Sequence, residues 1–433
     1  MADSATALHR LPAHRLGELI ARREVSSEEA VRSCLEWIAK RDAEVRAWAF
    51  LDSELALAQA RARDAEEPAG PLHGVPAGIK DVIDTADMPT EMGTVVHRGR
   101  RPGADAACVA RLRAAGVVIL GKTVTTEFAT KPATYTTNPH DSARTPGGSS
   151  SGSAAAVGGD MVPLALGTQT VGSTIRPATF CGAFGMKPTW ARVDMTGINQ
   201  TSARLDTIGL MAREATDIGL LLSALVPDAG DDAAATSEPP RLGFARTPWW
   251  DAADEDGTMV FERALEAARA GGAAAVDAIE FPAELANLVE VHNLITLADL
   301  AGCMASVYAQ HRNELSDTLR DEIERGQKVT EAEYAAAVAE AERGRAVVDR
   351  FFDDYDALVV PAATGEAPLG LGSTGNPIFC RMWSLLGNPA IAVPITRGSH
   401  DMPLGVQVVG RHGTDTALVR IAGFLHAASH RAA

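Results

Sequence analysis

Short apolar runs bounded by glycine or proline recur along the chain, at 75–79 (VPAGI), 117–120 (VVIL), 162–166 (VPLAL), 357–361 (ALVVP) and 390–395 (AIAVPI). Runs of this length without polar alternation predict strands buried on both faces. Between them the period changes. Residues 26–40 (SSEEAVRSCLEWIAK) set Val31, Cys34, Leu35 and Ile38 at helical spacing behind a capping box of Ser26 and Glu29, which predicts an amphipathic outer helix. Alanine-rich helical segments at 104–115 and 153–157 and a long helical stretch over about 257–350 complete the alternation. Strands alternating with helices predict an α/β fold built on a mixed twisted sheet. Residues 226–240 (VPDAGDDAAATSEPP) read as a surface connector. The helical block after it is expected to pack beside the sheet and to contribute a lid, and Trp249 and Trp250 suit either core or pocket wall.

Composition narrows the function classes. No apolar run approaches the roughly 18 residues of a membrane span. The opening MADSATALHRLPAHRL has no apolar signal core, so a soluble, cytoplasmic protein with no membrane partner is expected. Five widely spaced cysteines without a CxxC pair predict reduced, mostly buried thiols and no metal site. A net charge of −16 argues against nucleic acid, because a phosphate backbone is bound by clustered Lys and Arg.

Two glycine-flanked serine clusters carry the candidate chemistry, PGGSSSGS at 146–153 and GTQTVGSTIRPA at 167–178. GSSSG at 148–152 fits G-x-S-x-G, with Ser150 as nucleophile, but NPHDSARTPG before it contains two prolines and no strand to feed such a turn. No GxxxxGK[ST] loop is present. Lys80, just beyond the apolar run at 75–79, offers a different base. Burial disfavours the charged form of a lysine, and a neutral amine can activate a serine hydroxyl. Taken alone, Ser149 and Ser173 would be turn or cap residues.

The chain resembles the amidase signature family through GVPAGIKD (74–81), GKTVTTEF (121–128), NP (138–139), PGGSSSGSAAAV (146–157), ALGTQTVGSTIRPATFCGAFGMKPT (165–189) and LDTIGLMAR (205–213). The similarity resumes at PAATGEAP (361–368), LGNPAIAVP (386–394) and MPLGVQVVGR (402–411). The resemblance implies one domain over 1–433, with a signature core at 71–213, a variable helical region at 226–350 that shapes the substrate site, and a C-terminal part at 351–433 returning to the sheet. It implies Ser173 as nucleophile, Ser149 as a cis-bonded relay hydrogen-bonded to both Lys80 and Ser173, and Lys80 as base, without metal or cofactor. Gly147 and Gly148 supply the permissive backbone. Backbone N–H groups of Thr170, Val171, Gly172 and Ser173 are then expected to hold the oxyanion.

The implied activity is hydrolysis of a small-molecule linear amide by a monomer or homodimer, with aryl amides, esters and carbamates within reach of the same acyl-enzyme. A glutaminase-like subunit of a tRNA-dependent amidotransferase and an inactive scaffold are the alternatives. Arg176, three residues after Ser173, is expected either to clamp a substrate carboxylate or to form a structural ion pair, and Ser150 to touch the relay or substrate. Three departures from the family pattern stand out: Gln169 for Asp, Val171 for Gly, and Trp190–Ala191 for Tyr-Gly. Cys181 reads as a small buried residue.

Overall fold

Among the described residues, 7–226 and 238–431 of the computed structural model, eleven strands form a single mixed sheet. In chain order they are β1 (Trp48–Leu51), β2 (Pro76–Lys80), β3 (Val118–Thr123), β4 (Leu164–Gln169), β5 (Phe184–Lys187), β6 (Thr207–Ala212), β7 (Arg241–Arg246), β8 (Ala275–Glu280), β9 (Ala357–Pro361), β10 (Ala390–Arg397) and β11 (Pro403–Val409). Their spatial order is β1-β3-β2-β4-β6-β5-β10-β11-β9-β7-β8. β2 runs parallel to both β3 and β4, whereas β4 meets β6 antiparallel.

All five expected strands are present, and the apolar runs explain why they are central. Successive side chains of a strand face opposite ways. Ile79, Ile119, Leu164 and Leu166 therefore enter the core on one face, and Val118, Leu120 and Ala165 enter it on the other. There the helix Ser151–Gly158 presents Ala154, Ala155 and Ala156, side chains small enough for a close approach to the sheet. The outer helix spans Ser27–Val45, longer than expected, and both bonds of its capping box are formed. It ends where Arg46 turns left-handed, with φ 56°.

The middle block departs from expectation. It is not helical throughout, because β7 and β8 lie within 226–350 and extend the sheet beyond β9. β7 (RLGFAR) buries Leu242 and Phe244 by pairing with Ala357 and Val359. β8 is the outermost strand, and its exposed Asp277 and Glu280 hide the apolar signal. The helices Leu288–Cys303 and Asp317–Gly326 of the same block turn toward the C-terminal ends of β2 and β4. Residues 227–237, most of the expected connector, lie outside the described residues.

Trp250 packs edge-on to Phe261, which gives it a core role. Ala191 sits at φ 62°, a left-handed position that suits the glycine it replaces, and Trp190 borders a hollow with Arg345. Cys34, Cys108, Cys181 and Cys380 are buried free thiols, whereas Cys303 is exposed. Among the described residues no single helix is long and apolar enough to cross a membrane.

Candidate active site

Lys80 ends β2, and Thr168 lies near the end of the adjacent parallel strand β4. Both strands point their C-terminal ends into one cleft, the position at which open α/β sheets generally bind ligands. Lys80 is fully buried, and its Nζ lies 2.7 Å from Ser149 Oγ and 2.7 Å from Thr168 Oγ1. Burial lowers the Lys80 ammonium to about 7, against the opposing pull of the Asp206 carboxylate. Burial raises Asp206 in turn, although Thr170, Ser202 and Thr201 donate hydrogen bonds to it. With Nζ charged, the ammonium donates to both hydroxyls. With Nζ neutral, Ser149 can donate to its lone pair while Nζ still donates to Thr168.

Two tight loops bring Ser149 and Ser173 to the same cleft. The Gly148–Ser149 peptide bond is cis. Gly147 adopts φ 82°, and a Cβ there would stand 2.8 Å from Pro177 Cα, so this turn admits only glycine. Ser150 N–H donates to the carbonyl of Ser173 at 3.3 Å, which ties the two loops together. Ser173 Oγ forms no hydrogen bond among the described residues. The expected bond from Ser149 to Ser173 is therefore absent from the resting cleft, and only the Lys80 half of the relay is made.

The segment after β4 is braced from three sides. Gln169 Oε1 accepts from Thr174 N at 2.8 Å and Ile175 N at 3.0 Å, and its Nε2 donates to Ser384 Oγ. Ser384 Oγ donates to the Val171 carbonyl at 2.8 Å, and His292 Nε2 lies 3.2 Å from the Thr170 carbonyl. Gln169 thus accepts from two amides and donates to Ser384 at once, which an acceptor-only carboxylate could not do, and this accounts for one departure from the family pattern. With the carbonyls turned toward these braces, the N–H groups of Thr170, Val171, Gly172 and Ser173 have no acceptor among the described residues. A Cβ on Gly172 would stand 3.0 Å from Cys380 Cβ, so the loop approaches the helix Ile378–Leu386 closely.

The cleft encloses about 450 Å³. Val171 forms part of its wall, and the middle block supplies Thr296, Leu300, Thr318 and Glu322. Two expectations are corrected here. Ser150 is completely buried, and its Oγ both donates to the Thr168 carbonyl and accepts from Thr168 N, so it holds β4 and cannot reach substrate. Arg176 lines the cleft and forms no ion pair among the described residues. Its Nη2 donates to the Gly148 carbonyl at 2.6 Å and to Thr374 Oγ1 at 3.0 Å, while Nε and Nη1 are sealed without partners.

Sequence reasoning missed Thr168, Asp206, His292 and Arg381. Thr168 and Asp206 lie inside quoted motifs, but strand alternation sets Thr168 with Leu164 and Leu166, on the face opposite Lys80, so no local pattern joins the two. His292 and Arg381 reach the site from distant helices, without a local signal. Thr168→Val keeps the shape at this position but deletes one acceptor at Nζ. It is expected to lower kcat/KM by about 10- to 100-fold through misplacement of the amine, with Thr168→Ser restoring most of the loss. Equal activity of the valine variant would remove Thr168 from the site.

Comparison with known proteins agrees over almost the full length. A family model described as Amidase matches residues 29–419. The putative amidase AmiD of Mycobacterium tuberculosis is 33% identical, over 96% of this chain and 93% of its own. A glutamyl-tRNA(Gln) amidotransferase subunit of Nitratidesulfovibrio vulgaris is 32% identical, over 97% of both chains. Among solved structures, an amidase crystal structure superposes with a TM-score of 0.87 at 29% identity, covering 96% of this chain and 99% of its own.

Proposed function

Because the chain belongs to the amidase family, we propose that it hydrolyses linear carboxamides through an acyl-enzyme on Ser173, with Lys80 as base and Ser149 as relay. The observation that carries this reading is the fully buried amine of Lys80, 2.7 Å from a serine hydroxyl in the cleft that also holds Ser173. Substrate binding brings Ser173 Oγ–H round to Ser149. As Ser173 attacks the carbonyl carbon, its proton passes to Ser149 and that of Ser149 passes to neutral Lys80 Nζ. The oxyanion is received by the unbonded N–H groups of residues 170–173, and one such donor is typically worth about 3–4 kcal/mol. The Lys80 ammonium returns its proton through Ser149 to the nitrogen, and the C–N bond breaks. Water attacks the ester by the same route and releases the acid.

Aryl amides, esters and carbamates fall within the same chemistry, a carbamate releasing carbamic acid. Arg176 acts in this reading as a positioning residue that ties the Ser149 loop to Thr374, not as a substrate clamp. The route requires no cofactor and no partner chain, and we place it in the cytoplasm. The second reading, a glutaminase-like component of an amidotransferase, draws on the 32% identity to the Nitratidesulfovibrio vulgaris protein. Assay of the purified chain alone on amides, anilides, esters, carbamates and glutamine separates the two. Turnover of simple amides without partners is expected, together with labelling of Ser173 by a fluorophosphonate. Glutaminase activity that depends on added partner chains would establish the second reading, and absence of both labelling and turnover would favour an inactive scaffold.

A further inference from the structure

Arg381 lies in the first turn of the helix Ile378–Leu386 and lines the cleft that contains Ser173. Among the described residues only one of its terminal nitrogens is engaged. Nη1 donates to Asn293 Oδ1 at 2.6 Å and lies 3.3 Å from His292 Nδ1. That imidazole is neutral, since burial and the neighbouring Arg381 charge lower it to about 3. His292 Nδ1 can therefore accept from Arg381 while Nε2–H donates to the Thr170 carbonyl.

The remaining edge of the guanidinium, Nε–H and Nη2–H, has no acceptor among the described residues and is not sealed as Nε and Nη1 of Arg176 are. These two parallel donors match the spacing of carboxylate oxygens. No carboxylate of the described residues lies within ion-pair distance of Arg381, and Glu322 and Glu290 act on its charge only from farther away. Lys131 pairs with the buried Glu322 across the mouth, so the two cancel, and Arg176 adds a second cation without an ion-pair partner among the described residues. An open bidentate edge on the wall of the cleft is therefore available to an anion.

We infer that Arg381 binds a carboxylate of the substrate, so that the preferred substrates are linear amides carrying a carboxylate beyond the scissile bond. This rests on the amidase reading above. Asn293 and His292 orient the guanidinium from behind, which leaves the Nε/Nη2 edge directed at the ligand. The same bond network joins substrate charge to the loop at 170–173, through His292 and the Thr170 carbonyl.

The test compares dicarboxylic acid monoamides of increasing chain length with alkyl carboxamides of the same lengths. A second arm uses N-acyl amino acids against the corresponding N-acyl alkylamines, which moves the carboxylate to the leaving amine. In one arm kcat/KM of the wild type is expected to favour the acid by about tenfold or more, as for a hydrogen-bonded charge pair. Added salt should narrow that preference, and Arg381→Gln should reduce it toward parity, chiefly through KM. Hydrolysis of neutral amides with no preference for either acid overturns the carboxylate site and leaves the amidase reading intact. Failure to hydrolyse any amide overturns that reading instead. An acid preference that persists in Arg381→Gln removes Arg381 from the site. Should that variant not fold, the salt dependence of the wild-type ratio and competitive inhibition by free dicarboxylates decide the matter.

Discussion

Ser173→Ala is expected to lower kcat for carboxamide hydrolysis by about 10⁴-fold or more while changing stability by only about 0.5 kcal/mol. Both halves follow from one observation. Ser173 Oγ borders the cleft and makes no hydrogen bond among the described residues, so alanine leaves no buried partner unsatisfied. The contact that ties this loop to its neighbour comes from the main chain, Ser150 N–H to the Ser173 carbonyl, and survives the substitution. Ser149→Ala differs in stability but not in activity. It abolishes turnover to a similar degree and also strips a partner from Lys80 Nζ inside the protein, at a cost of about 1–3 kcal/mol. Steady-state kinetics and thermal denaturation of the two variants make the check. Turnover by Ser173→Ala within tenfold of wild type would sink the acyl-enzyme.

The second large effect is the pH dependence. In the proposed mechanism Lys80 acts as a base only when neutral, and its amine is lowered to about 7 by burial. For a neutral amide, kcat/KM is therefore expected to rise tenfold per pH unit below about 7 and to level off above it, as a profile governed by one group of the free enzyme. Lys80→Met removes both the limb and the activity. Lys80→Arg is inactive as well, since guanidinium stays charged throughout. Stability runs in the same sense. Between about 7 and the ordinary lysine value of 10.5 the unfolded chain holds a proton that folded Lys80 has released. Stability thus increases with pH across that window, by up to about 1.4 kcal/mol per unit for this group. Lys187 and Lys122, also lowered by burial to about 7 and about 8, add to the rise. A melting temperature that falls from pH 7 to pH 9 in the wild type, or a kcat/KM that stays level as the pH is taken below 7, would contradict the buried neutral amine.

Much of this was legible locally. The central strands announced themselves because both faces of the sheet are covered, leaving apolar runs with no alternation. Strands β1 and β5 were too short to stand out, and β6 and β11 are interrupted by glycine or polar residues. β8 escaped because it is exposed on the sheet edge. Ser150 was misread because its motif identifies the loop, but not whether a side chain turns toward the cleft or toward a neighbouring carbonyl. Ser150 turned to Thr168.

By itself, then, the amino-acid order determined the α/β class, the family and the positions of Lys80, Ser149 and Ser173, because each depends on short-range patterning or on a contiguous motif. Only the tertiary structure decided how deeply the amine is buried, that Thr168 shares it, and that Arg381 presents an open edge to the same cleft. Those properties arise where β2, β4 and helices more than a hundred residues apart in the chain exclude water together, and desolvation is a property of the assembled neighbourhood.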